Sequence, residues 1–314
     1  MPSPALLLLL ALHPLRISSR AHDLPPPARL RSMVSIPGGW VTTGSAYAAD
    51  AIPGDGELPR RAHHLRPFAI GADEVTCEQF AAFASATGHV TTAERLGSSF
   101  VAAPFLDASA EGDILGALAA APHWYEVANA SWRHPRGGAS HCDASHPVVH
   151  VSAADGAAFC EWAVEGGRLP SEAEWEHAAR GGRLPAVRFP WGDGDADAVL
   201  HRRANTFTGV WPHAPDAADG HRGAAPVGSF PRNGYGLADM AGNVWEWTVP
   251  TTTSGGAVPT NVLVQKGGSY MCHRSTCWRY RISARVERDG DSTAGHVGFR
   301  CCADAPAGGE RDAL

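Results

Sequence analysis

Apolar residues recur at helical spacing in three places, each behind a residue able to cap a helix. Thr76-Cys-Glu-Gln79 is a capping box, and Phe80, Phe83 and Ala84 continue from it as one apolar stripe. Gly88 then offers a stop, so a helix is expected from Thr76 to Gly88. Ser152 opens a second helix running to Gly166, with Asp155 a looser partner than Glu or Gln would be. Ser171-Glu-Ala-Glu174 opens a third; Trp175, Ala178 and Ala179 share its inner face and Gly181-Gly182 closes it. Trp175 reads as a core anchor rather than a binding residue, because large aromatics at helical spacing are usually buried. Strand signals are shorter: Met33 to Trp40 reads as a strand and turn, Leu65 to Ile70 as a short strand. Beyond Gly181 both periods fade, and turn residues, Trp and Asp dominate. Such a segment cannot satisfy its backbone by helices and ladders alone; its polar groups need other partners, and bound cations are one supply.

Composition changes this picture little. The chain has 314 residues, 44% of them hydrophobic, which is ample for a core. Its 35 Gly and 24 Pro fit a loop-rich fold with short elements. A formal net charge of −6 gives no general affinity for nucleic acid or an anionic membrane. No repeat or linker interrupts residues 32–305, read here as one domain. The apolar run Ala5 to Leu12 is far too short to span a bilayer but is about the length of a signal-peptide core. Arg16 is the first basic residue, and the stretch Ser18 to Ala21 is a poor cleavage site. Residues 1–31, with Pro25-Pro26-Pro27, therefore read as a possible signal peptide or a disordered tail, and 306–314 as a disordered tail. The expected compartment is the secretory pathway, in the endoplasmic reticulum lumen, or export; the alternative is the cytoplasm. The sequon Asn129-Ala-Ser131 matters only if the chain is exported.

Chemistry concentrates at Cys272 and Cys277, in the run Gly267-Gly268-Ser269-Tyr270-Met271-Cys272-His273-Arg274-Ser275-Thr276-Cys277. On a helix this separation turns two side chains about 140° apart, and on a strand it puts them on opposite faces. They can converge only on irregular backbone, and irregular backbone that gathers two thiols usually serves function. A small structural disulfide, two separate buried thiols, a redox pair and a Cu(I) site all remain open; zinc is disfavoured because no second Cys-x2-Cys pair exists. Arg274, Arg279 and Arg281 would favour thiolate. Five further cysteines complete an odd count; Cys77, Cys142 and Cys302 read as buried or unpaired thiols. Asp193-Gly-Asp-Ala-Asp197 begins like a calcium loop of the EF-hand type but has Ala198 and Ala204 where Gly and Glu are required, so it reads as a solvated turn.

Lys266 to Arg281 strongly resembles the active-site signature of the formylglycine-generating enzymes, the sulfatase-maturing oxidases. Also similar, in order along the chain, are Asn129 to Pro135, His146 to Ser152, Gly167 to Glu176, Phe189 to Gly192, Asn233 to Leu237, Gly242 to Trp247 and Val297 to Cys301. The resemblance implies an α+β fold of the formylglycine-generating-enzyme type, a C-type-lectin-like variant with little regular secondary structure. It implies that Cys272 and Cys277 hold Cu(I), with Ser269 and Trp245 lining an oxygen pocket; for Trp245 plain core packing is the competing reading. The substrate would be a cysteine in a Cys-x-Pro-x-Arg segment of an unfolded sulfatase, the oxidant O2 and the reductant an external thiol. Structural Ca2+ would be held at two places: by Asn205, Thr206, Asp219 and His221, and by Asp239, Gly242, Val244 and Glu246. These offer hard oxygen donors from side chains and carbonyls; capping or turn hydrogen bonding competes for Asp239 and Glu246. Cys160 and Cys301 match a structural disulfide of the eukaryotic enzymes, while a second one would fall at Ala179 and Ile282, where both partners are absent together. Thr276, Trp278, His296 and Ala153 depart from the family pattern without removing a copper ligand. The rival functions are a non-catalytic sulfatase- or peptide-binding paralogue, an iron-dependent sulfoxide synthase, which needs an additional His-rich domain, and a lectin-like binding module; none of them explains the cysteine pair.

Overall fold

The computed structural model describes residues 32–183, 187–251 and 261–305; the tail assignments for 1–31 and 306–314 lie outside them. In chain order the elements are β1 (Met33–Ile36), β2 (Gly39–Thr43), β3 (Arg61–Leu65), β4 (Phe68–Gly71), α1 (Cys77–Thr87), α2 (Thr92–Leu96), β5 (Ser98–Ala102), β6 (Ile114–Leu118) and β7 (Ala121–Ala128). There follow α3 (Ala153–Ala163), β8 (Gly167–Arg168), α4 (Glu172–Arg180), α5 (Asp197–Leu200), β9 (Gly209–Val210) and β10 (Ala214–Pro215). The last are β11 (Trp245–Thr248), β12 (Val262–Lys266), β13 (Arg285–Asp289), β14 (Val297–Gly298) and β15 (Cys302–Asp304). Two four-stranded sheets, ordered β1-β4-β15-β8 and β13-β12-β11-β14, carry most of the frame, with β5-β7-β6 a third sheet beside them. No helix among the described residues is long and apolar enough to cross a membrane.

The helices begin where the capping residues stand. Thr76, Ser152 and Ser171 each accept from the backbone N–H three residues on, and each box is closed in return by Gln79, Asp155 and Glu174. Gly88 and Gly181 end α1 and α4 in the left-handed conformation. Asp155 is a full partner rather than a loose one: its carboxylate accepts from Ser152 N and Oγ and also from the first N–H of α2, at Thr92. The helix it caps stops at Ala163, short of Gly166, and Val164 is already extended. The strand expected over Leu65 to Ile70 is two strands in two sheets, because Pro67 has no N–H to give a ladder. Met33 to Trp40 likewise supplies β1 to one sheet and the start of β2, which pairs with β3, to another.

The main core packs α1 on α3 through Phe80, Phe83 and Phe159, with Phe80 and Phe159 stacked at 5.9 Å, and continues through Trp245, Trp247 and Phe299 to Cys272. Cys160 and Cys301 form the disulfide that the resemblance implied, across a separation of 141 residues. Ala179 and Ile282 pack in one apolar cluster instead of a second bridge. Cys77 and Cys142, read from sequence as unpaired thiols, are joined in a disulfide. Cys77 N bonds the carbonyl of His146 and Glu78 N that of Ala144, so the loop carrying Cys142 is folded onto the start of α1. That long-range docking has no sequence signal. Cys302 is the buried free thiol expected.

Candidate active site

Two glycines at the end of β12 set the site's backbone. Gly267 and Gly268 have φ of 91° and 73°, and a Cβ on Gly268 would meet the backbone of Tyr280 at 2.9 Å. The chain then crosses the core: Tyr270 N bonds the Asn243 carbonyl, and Cys272 N bonds that of Ser269. After Cys272 it makes a single tight turn, in which Thr276 N and Cys277 N both donate to the His273 carbonyl. Arg274 fastens the turn from outside by reaching Asp195 at 2.7 Å. The turn returns Cys277 beneath Cys272, so that the two sulfurs face each other at 2.6 Å. Neither helix nor strand could do this, as the spacing required.

Cys272 is buried and Cys277 half-buried, and both line an open cleft of about 500 Å3. The pair is electrostatically unequal. Burial, then the neighbouring Cys277, push the Cys272 thiol well up. Hydrogen bonding from Cys272, reinforced by Arg279, brings Cys277 down. Cys277 is thus the more acidic thiol of the pair. Of the three arginines expected to act on the thiols only Arg279 does so; it is held in the cleft by Asp55. Arg281 is committed to a buried two-point pair with Glu57, and Arg274 to Asp195. Asp195 and its neighbours are accordingly more than a solvated turn: Asp193 accepts from Tyr47 Oη and Arg188 N, and Asp197 starts α5.

Ser269 and Trp245 both line the cleft with the cysteines. Ser269 is fully buried and its Oγ accepts from Met271 N. Trp245 belongs to the core cluster as well as to the cleft wall. Trp124, Trp211 and His296 line the same space and were not among the sequence candidates for catalysis; only His296 had been singled out, as a departure from the family.

The oxygen-rich segments behind the cleft are drawn into two knots. In the first, Asp219 accepts from the backbone N–H of Thr206 and of His221, so it fixes the two residues whose carbonyls the resemblance pointed to. Asn205 donates through Nδ2 to the Gly223 carbonyl and to Asn243 Oδ1, and Thr206 Oγ1 is buried without a partner among the described residues. An orphaned hydroxyl beside a desolvated carboxylate and free carbonyls suits a hard cation. The second knot contains Asp239, Gly242, Val244 and Glu246, and adds Glu74, which sequence reading missed. Glu74, Asp239 and Glu246 are all buried, with Arg300 between them. Arg300 grips both oxygens of Glu246 at 2.6 and 2.7 Å, and Trp175 Nε1 adds a third bond at 2.7 Å. Trp175 is therefore the core anchor expected and a donor besides. Glu74 accepts from Asn243 Nδ2 and Val244 N, and burial pushes its carboxyl up, as it pushes Asp239 up to about 6. Three carboxyls against one guanidinium cannot all stay ionised without a further counter-charge; protons supply it here, and a divalent cation could take their place. Among the described residues no three side chains of the His, Cys, Asp or Glu type form a ready ligand cage; the donors here are mixed with carbonyls.

An α+β scaffold of short elements that folds irregular backbone around two facing thiols in an open cleft suits an enzyme of redox or soft-metal chemistry. The sulfatase-modifying factor enzyme 1-like domain matches residues 21–305. A formylglycine-generating enzyme of Streptomyces coelicolor is 45% identical over 292 residues, covering 89% of this chain and 91% of that one. A protein of Mus musculus named inactive C-alpha-formylglycine-generating enzyme 2 is 39% identical over 281 residues, covering 87% and 86%. Among solved structures PvdO from Pseudomonas aeruginosa shares the fold, with a TM-score of 0.63 at 24% identity over 87% of this chain and 94% of that one. The chain belongs to the sulfatase-modifying factor family, the formylglycine-generating enzymes. It is an oxidase of that kind, turning a cysteine into formylglycine.

Proposed function

We propose that the chain oxidises the cysteine of a Cys-x-Pro-x-Arg segment in an unfolded sulfatase, and that Cys272 and Cys277 hold Cu(I) to do so. The observation that carries this reading is the convergence of two sulfurs in a cleft open to a peptide. Two soft, polarisable donors, one already inclined to thiolate, suit a monovalent d10 ion far better than any oxygen-seeking metal. The copper, when bound, would supply the O2 chemistry that protein side chains lack. The overall change balances as one substrate thiol, one O2 and two reductant thiols giving the aldehyde, hydrogen sulfide, water and one disulfide.

The chain's own residues have the task of placement. The turn from His273 to Cys277 fixes the two sulfurs relative to each other, and Asp195 holds that turn through Arg274. Arg279, itself positioned by Asp55, favours negative charge on Cys277. Trp245 presents an apolar wall and Ser269 a hydroxyl beside the reacting sulfur. Structural Ca2+ would occupy the two oxygen-rich knots, through Asn205, Thr206, Asp219 and His221, and through Asp239, Gly242, Val244 and Glu246. The disulfides Cys77–Cys142 and Cys160–Cys301 support an oxidising compartment, in the secretory pathway or outside the cell. A non-catalytic peptide-binding role would leave Cys272 and Cys277 without a purpose, and no observation favours it.

The test is turnover of a Cys-x-Pro-x-Arg peptide by the purified protein with a thiol reductant, with and without added Cu(I), read by mass spectrometry. Aldehyde formation that requires copper supports the reading; equal turnover after copper is stripped would remove the metal from it.

A further inference from the structure

His296 stands in the wall of the same cleft with no hydrogen bond to either ring nitrogen from the described residues. Its backbone is fixed, since its carbonyl accepts from Trp245 N at 2.8 Å. Its ring is fixed too, lying against Trp124 with centroids 4.3 Å apart. Nδ1 is sealed from solvent and has no partner. The residue as a whole is only half-buried, so Nε2 is the nitrogen left facing the cleft. Burial, with the nearby cation of Arg288 and with His150, pushes the imidazole down to about 3, so the ring is neutral and carries a single hydrogen. A sealed nitrogen with a bare lone pair costs less than a sealed N–H with no acceptor. The hydrogen therefore belongs on Nε2, and His296 presents one N–H donor to the cleft.

An extended peptide entering that space brings one backbone carbonyl per residue, and each loses water as it enters. On the aromatic wall of Trp124, Trp211 and Trp245, the indole N–H of Trp211 is already given to the Met271 carbonyl. A carbonyl left unpaired there would lose its bond to water without a replacement. We infer that His296 is a positioning residue for the substrate: its Nε2–H donates to a backbone carbonyl of the polypeptide segment that carries the reacting cysteine. The inference rests on the peptide-oxidase reading above. The donor works without titrating near neutral pH, because burial keeps the ring uncharged there.

The experiment measures binding of a synthetic peptide carrying Ser-x-Pro-x-Arg, which cannot react, by quenching of tryptophan fluorescence. Native protein is compared with His296→Asn, which keeps an N–H donor, and His296→Leu, which does not; thermal melts verify that each variant is folded. Turnover of the matching Cys peptide supplies KM and kcat. His296→Leu should weaken binding about tenfold, the worth of one hydrogen bond, and raise KM alike while kcat changes less than about twofold. His296→Asn should recover most of that loss. If both variants bind as the native protein does, or if both lose affinity equally, the donor role is overturned, since the second result would trace to the lost ring stack alone. Native protein that binds the Ser peptide in this pattern but never converts the Cys peptide would overturn the oxidase reading and leave His296 in place.

Discussion

The stretch from Thr76 to Gly181 and the stretch from Arg188 to Arg300 hold their backbones by opposite means. In the first, α1, α3 and α4 are closed by reciprocal capping boxes; α1 and α3 pack their apolar faces on one another, and α4 packs its own on Val41, Leu65 and Phe68. In the second, side chains bond directly to backbone. Asn243 is the clearest example: it sits at a φ of 56°, accepts from Ala225 N and Asn205 Nδ2, and donates to Glu74. Asn233 binds the carbonyls at the end of α4 in the same way. Gly242 lies so close to Asn205 that a Cβ would meet its carbonyl oxygen at 2.1 Å. The cysteine pair, Ser269, Trp245 and, Glu74 apart, both oxygen-rich knots belong to the second stretch. Regular structure builds the frame, and buried polar bonds build the site.

If that division is right, the two stretches should fail differently. The largest effect is expected at Arg300→Met, which leaves Glu74, Asp239 and Glu246 buried without their cation. Urea unfolding should show a loss of about 4 kcal/mol. A loss under about 1 kcal/mol would mean that those carboxyls are satisfied without Arg300.

Acid comes next. Burial pushes His150 down to about 4 in the folded protein, where its nitrogens bond Ser99 Oγ and the Pro135 carbonyl, against about 6.5 when unfolded. The unfolded chain takes up that proton first as pH falls, so the stability is complete above about 6.5 and drains away down to about 4. The loss is about 3 kcal/mol, seen as a falling urea midpoint. His150→Asn, which tolerates the positive φ of 59° at this position, should remove that share of the fall and leave the share contributed by His296, which burial pushes down to about 3. An unchanged pH profile in the variant would assign the acid sensitivity elsewhere.

Chelation sharpens the contrast further. Removing Ca2+ with EGTA should lower Tm by about 5 °C, consistent with about 2 kcal/mol of linkage, and readdition should restore it. Identical melts in both conditions would leave the two knots to hydrogen bonding alone. The smallest effect belongs to the regular half: Ser171→Ala removes one cap and should cost about 1 kcal/mol by urea unfolding.

The same division explains what could be read in advance. Capping boxes are local, so α1, α3 and α4 were legible from Thr76, Ser152 and Ser171. Thr91-Thr-Ala-Glu94 carries the same signal, and it caps α2; that helix escaped notice because five residues show no apolar stripe. The convergence of Cys272 and Cys277 was legible as a requirement, since only irregular backbone could achieve it, and the resemblance supplied its neighbours Ser269 and Trp245. Distant partnerships were not. Nothing around Cys77 announces Cys142, nothing around Glu74 announces Asp239 and Glu246, and Asp195 gives no hint that it holds Arg274 and so the cysteine turn. Of three arginines beside the thiols, only coordinates could tell that Glu57 and Asp195 had already claimed two.

The most direct measurement compares native protein with Cys272→Ser and Cys277→Ser, each supplied with Cu(I), a thiol and a Cys-x-Pro-x-Arg peptide, with the product mass recorded over time. Native protein should replace the peptide thiol by an aldehyde, and each single variant should fall to the background without enzyme. Either variant turning over at the native rate would contradict the account, because the chemistry would then not need both sulfurs.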